Sequence, residues 1–429
     1  MIPNTNAYLQ TWAQEIDARG LLVLPGGIDM HVHLSPVEND GWTFPWADDF
    51  DSGSRAAAAG GITTIGNITF PRGDEGLLDT IARVGAEAEQ ASIVDVVLHP
   101  VLTRPTAERL AEIPELAAQG HTSIKVFMVL SDFDAQAGGF LEAMAVAGRH
   151  GVLTLVHCED DCVINFLTRQ LVEQGLDDVS NFARSRPVLS ERAAVSRAVA
   201  FAEAAEAPIY IVHLSSADGL EEAHRAHARG VQVYVETRPV YLQFTTEEFA
   251  KPTAPLFTSY PPLRERRDVD ALWHGLGCAD VHTCCTDHAA WTLEQKSDPT
   301  LGIENARPGM SDLETLMPLL YSEGVRSGRI SLQRFVEITS TNAAKIFGLF
   351  PRKGTIAVGS DADLVVYDPD YRGEISARTH HVNNDYSGFE GFPIAGRPHV
   401  VTVRGKVQVR DGQFVRERGR GRLLRREPQ

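Results

Sequence analysis

The sequence predicts an α/β protein, a closed (β/α)8 TIM barrel with a small β-sandwich satellite. Three observations carry this expectation. Short β-branched runs alternate with helical stretches until eight strands have been counted. No glycine-rich phosphate loop follows the first strand, as an open doubly wound sheet would want. After the eighth strand the pattern changes to two helices, then to short strands separated by turns such as Gly359, Gly405 and Gly412.

Taken in order, residues 1–20 are polar and mixed, with a short helix around 9–16. The apolar run 21–24 leads into the first barrel strand, 25–34. Alternation along a strand puts Asp29, His31 and His33 on one face. Ile28, Met30, Val32 and Leu34 then face the helices. An acidic and aromatic loop, 35–49, precedes a helix over 53–60 that Gly60 and Gly61 stop. The remaining barrel strands are expected at 62–68, 93–101, 122–129, 152–158, 209–214, 231–235 and 281–285. Helices fall between them at 77–90, 107–118, 192–206 and 220–229. Helices over 313–325 and 331–347 close the barrel, and strands over 354–367 and 400–415 form the satellite. The domains are therefore a short segment 1–20, a barrel 21–350, and a satellite with a Gly/Arg-rich tail, 351–429. A solvated or subunit-contacting role is expected for that tail.

Composition narrows the function. The 429 residues are 43% hydrophobic, enough for a large core, and the net charge of -17 argues against nucleic-acid or anionic-membrane partners. Five cysteines, an odd number, in a large chain without a charged-plus-apolar leader point to a reduced, cytoplasmic protein without disulfides. No uninterrupted apolar stretch is long enough to span a bilayer.

In barrel enzymes, chemistry sits where the strands end. The first strand ends in His31 and His33. The fourth presents Ser123, Lys125 and Phe127 on one face, the fifth Leu153, Leu155 and His157, the sixth Ile209, Ile211 and His213, and the eighth Thr283, Cys285 and Asp287. Four imidazoles, a carboxylate and an amine thus converge on one end, a set that suits metal better than core packing. Lys125 has two readings at this point. As an ammonium it would pair with a buried carboxylate such as Asp29 or Glu236. As a free amine it could add carbon dioxide and become an anionic carbamate that bridges two metals.

These residues resemble the cyclic amidohydrolases: dihydropyrimidinases, hydantoinases, dihydroorotases and allantoinases. Pro25 to Leu34, Asp48-Asp49-Phe50, Gly60-Gly61-Ile62-Thr63-Thr64, Ile124-Lys125-Val126-Phe127-Met128, Val156-His157-Cys158-Glu159, Ile211-Val212-His213-Leu214-Ser215-Ser216 and Thr286-Asp287-His288 carry the likeness. It continues through Thr341 to Leu349 and Gly354 to Leu364, and Asp385-Tyr386-Ser387 with Phe389-Glu390-Gly391 leans toward the hydantoinase and dihydropyrimidinase branch. The resemblance implies two divalent metals, usually zinc. His31, His33 and Asp287 would hold one, and His157 and His213 the other. A carbamate made from Lys125 and carbon dioxide would bridge them together with a hydroxide. Asp287 would also be the acid/base. A homotetramer is implied as well.

Four departures from the family pattern stand out. Only 20 residues precede Leu21, so the satellite is expected to be incomplete, with an open edge at 354–367. The tyrosine that hydantoinases carry five residues after the carboxylated lysine is Leu130 here, with Ser131 adjacent. Ser35 stands where dihydroorotases carry an arginine, which disfavours dihydroorotate. Tyr260 precedes Pro261-Pro262-Leu263-Arg264 where hydantoinases have serine. Tyr260 and Asn305 fall near the family's substrate contacts. The expected function is metal-dependent opening of a cyclic amide, a hydantoin or dihydropyrimidine, by attack of the metal-bridging hydroxide. The alternatives are an allantoinase-like or divergent ring hydrolase, and a non-catalytic scaffold. Scaffold paralogues lack metal ligands, whereas this chain has all six candidates.

Overall fold

The computed structural model describes residues 15–39, 42–130, 132–415 and 419–427. Eight parallel strands close a barrel: Gly27–Val32, Ile62–Thr69, Asp95–Pro100, Ser123–Phe127, Leu153–His157, Ile209–Ile211, Val233–Thr237 and Thr283–Cys284. A bridge from Val101 to Lys125 joins the third strand to the fourth, and one from Val32 to His288 joins the eighth to the first. Amphipathic helices such as Leu77–Ala91, Ala107–Ala118, Val188–Ala205 and Ala217–Ala228 wrap the outside. The helix expected over 331–347 runs as α-helix Leu332–Val336, a wider π turn Glu337–Thr341, and α-helix Asn342–Ile346.

Simple alternation fails in two barrel strands. Ile28 and Met30 do not face the helices. They pack with Leu153, Leu155, Tyr210, Val212 and Cys285 in the barrel interior. The first strand slips register against the second between Asp29 and Val32, and this irregularity brings His31 inward after Met30. In the sixth strand Ile209 and Ile211 face outward into the helix-packed core, while Tyr210 and Val212 face inward. His213 still reaches the mouth, because the chain leaves the extended conformation there with φ of 38°.

The satellite differs from expectation in its edges. Leu22–Pro25 does not begin the barrel. It pairs antiparallel with Leu364–Glu374, covering from Leu364 to Tyr367 the edge expected to be open. Pro393–Val403, Lys406–Arg410 and Gln413–Phe414 complete a five-stranded sheet. Residues 354–363 form turns and irregular chain in place of a strand. The expected loop 35–49 contains a hairpin of Val37–Asn39 and Trp42–Phe44. Most of the expected helix at 9–16 lies outside the described residues. The described part of the tail is only partly solvated: Gly421, Leu424 and Arg426 are buried, while Arg420, Arg422 and Arg425 are exposed. The Val96 N–H donates to Arg422, the Leu424 N–H donates to Val96, and the Arg426 N–H donates to Gly120. The tail therefore seals the barrel beside the start of the third strand.

Candidate active site

The strand ends gather the predicted residues at one mouth. His31 and His213 stack with ring centroids 5.2 Å apart, and His157 meets His213 edge-on at 4.6 Å. His33 lies 5.4 Å from His31. One carboxylate oxygen of Asp287, Oδ1, sits 2.9 Å from His33 Nε2 and 3.2 Å from His31 Nε2. Within this group one ligand atom each from His31, His33 and Asp287 lies within 4.8 Å of the others. Asp287 and His213 both adopt left-handed backbone, φ 50° and 38°. Such conformations cost free energy for residues with a Cβ and cluster at functional sites.

Several buried polar atoms here have no hydrogen-bond partner: His31 Nε2, His33 Nδ1, His213 Nδ1 and Lys125 Nζ. Leaving such atoms unsatisfied is costly. Burial also favours the neutral form of His33, His157 and His213, the form that ligates metal. His33 is lowered to about 4 by burial, against the opposing pull of Asp287, and burial lowers His157 and His213 as well. Burial alone would raise the Asp287 carboxyl, but Arg238 beside it, with His31 and His33, holds it well below the usual carboxylate range. Neutral imidazoles, an ionised carboxylate and unpaired nitrogens are the donor set that a divalent metal fits.

Lys125 is fully buried, with its Nζ 4.7 Å from the centre of the Phe127 ring. Burial lowers its ammonium to about 8, with Asp287 and Glu236 pulling the other way. The pairing with Asp29 or Glu236 is not formed. Asp29 accepts from the Thr286 hydroxyl and from backbone N–H groups of His31 and Thr286. Glu236 accepts from His31 Nδ1, the Tyr210 hydroxyl and the His213 N–H.

The predicted substrate residues are less convergent. Leu130 is half-buried in the turn after the fourth strand, and Ser131 lies outside the described residues. Tyr260 precedes a cis proline and stacks under the Arg186 guanidinium, 3.4 Å from its ring centre, with Phe182 alongside. Asn305 is exposed. Its side chain accepts from the Gly302 N–H and donates to the Thr300 carbonyl, so it caps its own loop.

Sequence reasoning passed over a supporting layer. Glu159 accepts from His157 Nε2 at 2.8 Å and from Arg186 at 2.7 Å. Asp48 pairs with His288 Nε2 at 2.9 Å, and Arg238 donates to Asp287 Oδ2 at 3.0 Å. Glu236 had a readable signal, a carboxylate inside the apolar strand Val233–Thr237. Asp48 stood in the Asp48-Asp49-Phe50 motif without a readable role, and Arg238 had no signal, since their partners come from distant segments. The second acidic group, Asp95, Asp361 and Asp363, already encloses the Lys353 ammonium, which ion-pairs with all three.

A parallel barrel whose mouth gathers histidines, an aspartate and a lysine defines a hydrolase of the metal-assisted amidohydrolase class. The chain belongs to the amidohydrolase family, whose model matches residues 22–408. It is 38% identical to a D-hydantoinase of Geobacillus stearothermophilus over 97% of this chain and 89% of that one. Among solved structures it resembles a D-hydantoinase (dihydropyrimidinase) from Thermus sp., with a TM-score of 0.92, 40% identity, and coverage of 97% of this chain and 91% of that one. A dihydropyrimidinase from Brevibacillus agri matches with a TM-score of 0.92, 37% identity, and the same coverage of 97% and 91%. Among the described residues no helix is long and apolar enough to cross a membrane.

Proposed function

We propose that the chain hydrolyses the ring amide of a hydantoin or dihydropyrimidine. The observation that carries the reading is the Asp287 carboxylate set between His31 and His33, within reach of both imidazoles. His31, His33 and Asp287 would hold one divalent ion and His157 and His213 a second, zinc being the family's usual metal. Lys125, as a carbamate formed with carbon dioxide, would join the two. Bound there, the ions supply a lowered water pKa and polarisation of the amide carbonyl.

The chain's own residues supply the rest. Asp287 takes the proton released as water adds to the carbonyl and returns it to the ring nitrogen, which cannot leave as an anion. Glu236 and Glu159 orient His31 and His157 through their hydrogen bonds. Phe70 and Phe127 stack at 5.5 Å, and Trp46 lies 5.6 Å from His33, so aromatic walls flank the metal-side residues and limit water. Leu130 offers no donor where the branch usually has a tyrosine hydroxyl, so slow opening of bare hydantoin is expected; as an apolar lining residue it would suit a ring with an alkyl or aryl substituent. The acidic charge balance and five free cysteines suit a cytoplasmic enzyme, and the family likeness supports a homotetramer.

The test is elemental analysis of purified protein together with a panel of hydantoin, dihydrouracil, dihydroorotate and allantoin. Two metals per chain with turnover of hydantoin or dihydrouracil is the expected result. Metal-replete protein that opens none of the four rings overturns the reading.

A further inference from the structure

We infer that Arg238 is a positioning residue that divides the two oxygens of Asp287 between different tasks. The inference rests on the role proposed above for Asp287. Arg238 follows strand Val233–Thr237 and is completely buried. Each of its three guanidinium nitrogens donates one hydrogen bond. Nε donates to the Thr286 carbonyl at 2.8 Å, Nη1 to Asp287 Oδ2 at 3.0 Å, and Nη2 to Asp312 Oδ2 at 3.4 Å. One side chain therefore links the end of the seventh strand, the end of the eighth, and the segment carrying Asp312.

The consequence lies in the other oxygen. With Oδ2 on the guanidinium, Oδ1 is the oxygen presented to His33 at 2.9 Å and His31 at 3.2 Å. Asp287 sits at a left-handed backbone position beyond strand Thr283–Cys284, outside the ladder that would fix it. Its orientation must come from its side-chain partners. A planar guanidinium fixes several acceptors in one geometry, whereas an ammonium acts as a point charge. Arg238 also anchors on the backbone carbonyl of the preceding residue, Thr286, so carboxylate and chain are held by the same group.

The test compares Arg238→Met, Arg238→Lys and Asp287→Asn in the zinc-loaded chain. It measures bound metal, and kcat and KM on the best ring of the substrate panel. Arg238→Met should lower kcat about 10²-fold with little change in KM, the scale of a small misplacement at a reacting centre. It should also lower bound metal, and added methylguanidinium should restore part of kcat. Arg238→Lys should stay low, because it keeps the charge without the fork. If Arg238→Met does not fold, Arg238→Met with Asp312→Asn relieves one stranded buried charge and is read the same way. Wild-type kcat in a folded Arg238 variant, while Asp287→Asn is inactive, overturns the inference and leaves the proposed function standing. A loss that methylguanidinium does not repair and that comes with a matching rise in KM also overturns it, as a general structural defect. Full activity in Asp287→Asn would instead remove the underlying reading.

Discussion

Glu236 accepts a hydrogen bond from His31 Nδ1 at 2.8 Å, and both side chains are completely buried. Burial alone would raise the Glu236 carboxyl, but His31 and the surrounding donors hold it below its ordinary value, so it is a carboxylate and only accepts. Nδ1 therefore carries a proton, which leaves Nε2, the atom facing Asp287, as the nitrogen that can offer a lone pair to a metal. A buried carboxylate thus selects the imidazole tautomer that can ligate. Glu236→Gln should weaken metal binding about 10- to 100-fold. Competition with a chelator would measure it, and unchanged affinity would mean that the tautomer is set elsewhere.

Lys125→Ala should lose metal and activity together. Small carboxylic acids added to the variant should restore part of both, because they replace an anionic bridging group rather than a positive one. Crystals of metal-replete protein showing an uncarboxylated ammonium at Lys125 would refute this account.

Asp287→Asn should retain much of the metal and lose about 10²–10⁴ in turnover, the range for removing a positioned acid/base. Metal content and steady-state rates on one preparation separate the two effects. Near-normal turnover would move the proton-transfer role elsewhere, with His288 next in line.

Leu130→Tyr should raise turnover of unsubstituted hydantoin. Losing one donor to an oxygen that gains charge typically costs about 10²–10³ in rate, and leucine has no donor to offer. Tyr260 stacks against the Arg186 guanidinium. Equal rates on hydantoin and dihydrouracil in the parent and the Leu130→Tyr chain would show that position 130 does not discriminate.

Acid should destabilise the fold through His282. Burial, with help from His227 and Arg334, lowers this imidazole to about 4, and its Nδ1 accepts from the Val235 N–H at 3.1 Å. Protonation must break that bond. The folded state binds the proton less readily than the unfolded chain, so stability falls as pH drops from about 6.5 toward 4, by up to about 3 kcal/mol. His282→Asn keeps an acceptor without the titration. Urea unfolding at pH 7 and pH 4.5 should show a smaller difference in the variant than in the parent.

The sequence by itself determined the barrel and the residues gathered at its mouth. Strand and helix periods are local properties, and a histidine or lysine at the end of an apolar run has few places to go in a barrel. Alternation did not reveal how those residues arrive. Register slip between Asp29 and Val32 and the left-handed turn at His213 both break the two-residue period, and each depends on neighbouring strands. The placement of Leu22–Pro25 was equally illegible, since its partner Leu364–Tyr367 lies more than 300 residues away. Only tertiary structure decided the carboxylates and guanidinium behind the site. Glu236 meets His31 across 205 residues and Asp48 meets His288 across 240. Hydrogen bonding in a buried site is a matter of angstroms, and sequence spacing carries no such information once the partners lie on different strands.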